Sequence, residues 1–206
     1  ILGGAKIGDK ITLIHNLMEK ADAILIGGAM AFTFLKVQGK NVGASLIDQD
    51  NLNTAEDILS LAEKTNTNIV LPVDVVAVPK LSDDTTWRIA NLDQLKTGEA
   101  GYDIGPETTM EFEMLLSNAK TIFWNGPLGV SEIPAFSTGT QAIASAVIAQ
   151  TEKGAISIIG GGDTASALKK YGLEGGFTHI STGGGASLQL MSGKQLPALE
   201  ALQEYA

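Results

Sequence analysis

Glycine pairs and triplets recur in this chain where short apolar runs give way to amphipathic ones. That placement constrains the fold more than any other feature of the sequence. Gly3-Gly4, Gly27-Gly28, Gly160-Gly161-Gly162 and Gly183-Gly184-Gly185 each occupy such a junction, drawn from 24 glycines in 206 residues. The apolar runs Ala23 to Ile26, Ile69 to Leu71, Thr121 to Trp124 and Ala155 to Ile159 are short, rich in β-branched residues and bounded by Gly, Pro or Asn, so they read as buried strands. Helical spacing of apolar residues marks Asp9 to Lys20, Asn53 to Lys64, Glu107 to Ala119 and Thr138 to Gln150. Alternating strand and helix predicts an α/β fold: one domain with a doubly wound, mostly parallel, Rossmann-like sheet and helices on both faces. Val73 to Leu95, with Pro79 and the polar run Ser82 to Thr86, breaks the rhythm and is expected to form a small antiparallel excursion at the sheet's edge. Only Ile1 and Leu2 precede the first glycine pair, short of the ~5–6 residues usual for a strand. The chain is therefore expected to be part of a longer one.

Glycine at the carboxyl end of a parallel strand lets backbone approach a ligand, and the helix that follows offers unpaired N–H groups to an anion. Four such junctions on one sheet edge suit a nucleotide or another phosphorylated ligand. The plain alternative is that each glycine only makes a turn. Among phosphate-binding patterns the P-loop is absent, because Asp9 stands where its lysine belongs. Gly160-x-Gly162-x-x-Ala165 matches the dinucleotide fingerprint, but no acidic residue ends the following strand, Phe177 to Ser181, which weakens a nicotinamide-cofactor reading.

Composition narrows the partners. A formal net charge of −9 with no Lys/Arg cluster argues against nucleic acid. No apolar run approaches the ~20 residues needed to cross a bilayer, and no signal peptide is visible. The absence of cysteine excludes disulfides and thiol chemistry, and is compatible with a reducing compartment. His15 and His179 lack cysteine partners for a metal site, Asp74 reads as a turn aspartate, and Met30 to Leu35 reads as a buried helix face.

Six stretches, taken in order, resemble the phosphoglycerate kinase family. They are Gly3-Gly4-Ala5-Lys6-Ile7-Gly8-Asp9-Lys10, Gly27 to Phe34, Gly101-Tyr102-Asp103-Ile104-Gly105-Pro106, Trp124 to Val130, Gly160-Gly161-Gly162-Asp163-Thr164 and His179 to Ser187. The resemblance covers the C-terminal, nucleotide-binding half of that family. It implies a cytoplasmic phosphotransferase that moves a phosphoryl group between 1,3-bisphosphoglycerate and ADP with Mg²⁺. The 3-phosphoglycerate end would be held by the half not present, so the chain alone is expected to bind Mg-ADP or Mg-ATP without turnover. A nucleotide-binding module with no catalysis of its own is the alternative.

By the same resemblance, Lys6, Gly161 and Gly184 take catalytic positions, with Lys6 following the transferred group. Lys10, Asn125, Gly162, Asp163 and Thr164 serve the phosphates, and Asp163 also reaches Mg²⁺. Gly4, Ala5, Gly27, Gly28, Gly101 and Tyr102 line the base slot, Gly129 and Gly161 also bind the nucleotide, and Glu132 accepts from the ribose hydroxyls. The i, i+4 spacing of Lys6 and Lys10 is read as one helix face. Two departures stand out: Ser131 where phenylalanine is common, which puts the packing beside Glu132 in question, and Tyr102 where leucine is common. Residues 1–190 are expected to form the domain. Residues 191–206, with Leu196, Leu199 and Leu202 exposed or poorly ordered, are expected to return to the missing half.

Overall fold

The computed structural model describes residues 1–79, 86–181 and 183–196. Two sets of parallel strands carry the main sheet. Strand β1 (Ala23–Leu25) pairs with β2 (Asn68–Val70), and β6 (Thr121–Asn125) pairs with β7 (Ile156–Gly160), which pairs with β8 (His179–Ile180). The opening residues stitch the two sets together, because Leu2 bridges in parallel to both Ile26 and Asn125. Its N–H donates to Leu25 O at 2.8 Å, and Asn125 N donates to Ile1 O at 2.9 Å. Numbered by appearance in the chain, the strands lie in the order 3-2-1-4-5-6. In such a sheet the order reverses beside the first strand, and ligands bind in the crevice outside the carboxyl ends there.

Alternate residues face opposite sides of a strand, and the core divides accordingly. Ile24 and Ile26 pack with α1 (Ile11–Leu17), α2 (Met30–Val37), α3 (Leu52–Thr65) and the inner side of α7 (Gly184–Met191). Leu25 packs on the other face with Ile122, Trp124 and Ile159, covered by α4 (Pro106–Leu116), α5 (Thr138–Glu152) and α6 (Gly162–Lys170). Helices therefore cover both faces, as the alternating pattern predicts. Their ends have local causes. Helix α3 stops at Asn66, which takes the left-handed conformation (φ 58°) and donates back to Ala62 O. Helix α4 starts with Pro106 in its first turn, where the missing N–H costs nothing.

The middle segment is a separate three-stranded antiparallel sheet, with β3 (Asp74–Val78) between β4 (Arg88–Asn91) and β5 (Ala100–Ile104). The sequence reading anticipates a hairpin but not β5, whose Gly101 and Asp103 carry little strand propensity. Gly101 belongs there for a packing reason: a Cβ would lie 2.4 Å from the Phe32 ring. The first helix also starts later than its periodicity suggests. Gly8–Lys10 forms a 3-10 turn, so Lys6 precedes the helix and does not share a helix face with Lys10. Residues 30–35 of α2 are all buried, as expected. The tail expectations for Leu199 and Leu202 lie outside the described residues, and Leu196 is half-buried.

Candidate functional site

Because the main sheet's strands are parallel, all four glycine junctions fall on one edge, at the carboxyl ends. The first three loops there are locked together by glycines. Gly28 has φ +66°, and a Cβ on it would lie 2.6 Å from Gly4 N; a Cβ on Gly3 would lie 2.1 Å from Pro127 O. Backbone bonds fasten the same contacts: Gly4 N donates to Pro127 O, Gly28 N to Leu128 O and Met30 N to Gly4 O, each at 3.0 Å. The Gly4 and Gly28 amides thus serve the protein rather than standing free. Gly27 packs its Cα face on Leu128 and does not line the cleft.

Above these loops lies a cleft of about 520 Å³. Gly4, Ala5, Gly28, Gly101, Tyr102, Gly129 and Glu132 line it, which brings together seven of the residues the sequence singles out. It is largely apolar, as a flat base requires. Residues the sequence reading missed complete the walls: Phe32 from α2, Leu46 from the loop after it, Val75 from β3 and Asp103 from β5. Phe32 carried only a core signal, Leu46 sits in a stretch without periodicity, and Val75 enters because the antiparallel sheet folds over the crevice. Tyr102 is half-buried and its ring packs on Phe136 with centroids 5.6 Å apart. Asp103 is buried; its carboxylate accepts from Ile104 N (2.9 Å) and Gly139 N (2.8 Å), and burial pushes its pKa up to about 7 against those two donors.

A polar cluster forms where β6 and β7 end. Lys10 Nζ donates to Asn125 Oδ1 at 2.7 Å, and Asn125 Nδ2 donates to Gly160 O at 2.8 Å. Thr164 Oγ1 donates to Gly160 O (3.1 Å) and accepts from Gly126 N (2.7 Å). The Asn125 and Thr164 side chains are therefore buried braces between neighbouring strand ends. Gly161 takes φ +94°, and a Cβ there would lie 2.7 Å from Asn125 Nδ2, so the brace requires glycine. Helix α6 follows with no side-chain cap, Asp163 is exposed in its first turn, and the space in front of Gly162 is open. An uncapped first turn leaves N–H groups without intrahelical partners and favours an anion.

Lys10 is half-buried, and desolvation lowers its pKa while Asp9 and Asp163 pull it back up. Its hydrogen bond goes to a neutral amide, and among the described residues no carboxylate makes a direct ion pair with it. Lys6 is exposed two residues beyond Gly4, and Gly184 opens α7 just past β8. Asp74 is neither exposed nor in a turn. It is buried in β3 and accepts from Glu107 N at 3.0 Å and Thr108 N at 2.8 Å, anchoring the start of α4. His15 and His179 are exposed, and among the described residues no three His, Cys, Asp or Glu side chains cluster as metal ligands. No helix of the described residues is long and apolar enough to cross a membrane.

A family model described as phosphoglycerate kinase matches residues 1–194. The chain belongs to the phosphoglycerate kinase family. Phosphoglycerate kinases of Prosthecochloris aestuarii and Mycolicibacterium gilvum are 52% identical over 204 residues and 49% identical over 203, covering 99% and 98% of this chain. The match takes in 51% and 50% of those proteins, so the chain spans about half the length of the curated relatives it matches. The solved phosphoglycerate kinase of Coxiella burnetii superposes with a TM-score of 0.92 at 43% identity, covering 97% of this chain and 51% of that one. The Pyrococcus horikoshii enzyme gives a TM-score of 0.81 at 33% identity, covering 98% and 50%. Ser131, the departure that put the packing beside Glu132 in question, is buried, and its carbonyl accepts from Tyr171 Oη at 2.9 Å.

Proposed function

We propose that this chain is the nucleotide-binding half of a phosphoglycerate kinase, holding Mg-ADP or Mg-ATP while the other half of the enzyme holds 3-phosphoglycerate or 1,3-bisphosphoglycerate. The supporting observation is convergence at the switch point. A desolvated lysine with no direct ion pair among the described residues, an uncapped helix start and an apolar cleft of nucleoside size occupy one edge of the sheet.

In this reading the base enters the cleft between Gly28, Gly101 and Tyr102, Glu132 accepts from the ribose hydroxyls, and the phosphates run toward Lys10 and α6. Gly161 and Gly162 keep backbone low beneath them. Mg²⁺ commonly takes one or two protein carboxylates and keeps several waters. The single exposed carboxylate of Asp163 fits that demand. Bound there, the ion would neutralise phosphate charge. Lys6 is then the mobile cation that follows the transferred group, consistent with its exposure ahead of the helix, and Gly184 starts the helix whose amides face that group. Phosphoryl transfer depends on positioning and positive charge. With the sugar-acid substrate docked elsewhere, this chain alone is a binding module without turnover, a reading supported by the chain's spanning about half the length of its relatives.

Calorimetric titration with Mg-ADP tests the assignment. Micromolar to millimolar binding that weakens in Lys10→Ala and in Asp163→Ala is expected. Equal binding by both variants and the parent would sink the phosphate-end placement.

A further inference from the structure

We propose that Tyr171 and Lys170, at the far end of α6, are positioning residues for the ribose end of the cleft. The proposal rests on the nucleotide reading above. Helix α6 starts at the phosphate-side cluster and its last turn reaches the loop that carries Glu132. There Tyr171 Oη donates to Ser131 O at 2.9 Å, and Lys170 Nζ donates to Glu132 O at 2.5 Å. The Lys170 ammonium also lies 5.4 Å from the centre of the Tyr171 ring, so the two side chains form one unit.

Those two carbonyls have no other backbone support: among the described residues no main-chain N–H donates to Ser131 O or Glu132 O. The near side of the loop is fixed differently. Val130 N donates to Tyr102 O at 2.9 Å, and Gly129 is wedged so tightly that a Cβ would lie 2.3 Å from Asp103 Oδ1. The loop is thus held to β5 on one side and to α6 on the other. The Glu132 side chain, exposed at the cleft wall, inherits its position from both. A nine-residue helix is roughly 13 Å long and stiff, so α6 sets the distance between the phosphate-side cluster and Glu132. Loosening its C-terminal grip is expected to cost affinity only for ligands that use Glu132.

The test compares Mg-ADP with Mg-2′,3′-dideoxy-ADP by calorimetry on the parent, Tyr171→Phe and Lys170→Met. Phenylalanine keeps the ring and its packing and removes the single O–H, so the fold is retained. The parent is expected to prefer ADP. At least one variant is expected to lose about three- to tenfold in ADP affinity, the scale of one hydrogen bond, while dideoxy-ADP binding stays within about twofold. Adding Glu132→Gln to that variant should then cost less than it costs in the parent. The proposal is overturned if both variants keep the parent's ADP preference, or weaken the two ligands alike. A parent that binds ADP without preferring it also overturns the proposal, while leaving nucleotide binding intact. A parent that binds neither ligand overturns the nucleotide reading as well.

Discussion

Gly28 and Lys10 illustrate what one residue contributes at this sheet edge. Gly28 holds a positive φ and has no room for a Cβ beside Gly4 N. Gly28→Ala is expected to destabilise the fold by about 2 kcal/mol or more, through backbone strain and overlap together, measured as a lowered urea midpoint. Lys10→Ala should behave in the opposite way for stability. At neutral pH the half-buried ammonium carries a desolvation cost, which the lowered pKa registers, so removing it should leave the fold no less stable. Nucleotide affinity should nevertheless fall about ten- to a hundredfold, the loss of a charge-assisted bond. A stability loss matching the affinity loss would make Lys10 a structural residue. The sequence located both residues, because glycine pairs at strand ends and a lysine beyond them are visible in one dimension. It could not say that Gly4 and Gly28 spend their amides on neighbouring loops, since those partners, Pro127 and Leu128, are about a hundred residues away.

The elements are tied together by two buried aspartates of the antiparallel sheet. Asp74 of β3 receives the first N–H groups of α4, and Asp103 of β5 receives Gly139 N at the start of α5. Asp74→Ala leaves both donors without their acceptor, the Thr108 N–H in a buried position, and is expected to cost about 2–4 kcal/mol, read from chemical denaturation. Asp103 makes a pH-dependent case. Its pKa is raised from 3.8 to about 7 in the folded state, so the native protein holds the proton more tightly than the unfolded chain does. This contribution is greatest at low pH and erodes as pH rises through 7. Between pH 5 and 8 the parent should lose on the order of 2 kcal/mol from this group. Asp103→Asn should lack that component, and an unchanged pH slope in the variant would contradict it. Helices are legible from the spacing of their buried face, and the parallel strands from short apolar runs that are buried on both faces of the sheet. Strand β5 is not, since Gly101 and Asp103 answer to Phe32 and to α5 rather than to strand propensity. For the same reason Asp74, between a proline-containing turn and a run of valines, gave no sign of capping a helix thirty-two residues on.

At the scale of the whole molecule, one edge of the sheet carries the cleft proposed to hold the nucleotide, while the chain spans about half the length of its relatives. In-line phosphoryl transfer needs donor and acceptor held together with water excluded. This chain offers a cleft for one of them, with Lys6 exposed beyond the loops rather than enclosed. Purified residues 1–206 are therefore expected to bind Mg-ADP yet show no ATP formation from 1,3-bisphosphoglycerate in a coupled assay. Joining the chain to the complementary half of a phosphoglycerate kinase should bring activity, and Lys6→Ala in that joined protein should lower kcat by more than tenfold with little change in nucleotide affinity. A joined protein whose Lys6→Ala variant loses nucleotide affinity and keeps kcat would place this lysine at the binding end. Robust turnover by the chain alone would mean that both substrates dock on this one domain, and the division of labour between halves would have to be abandoned.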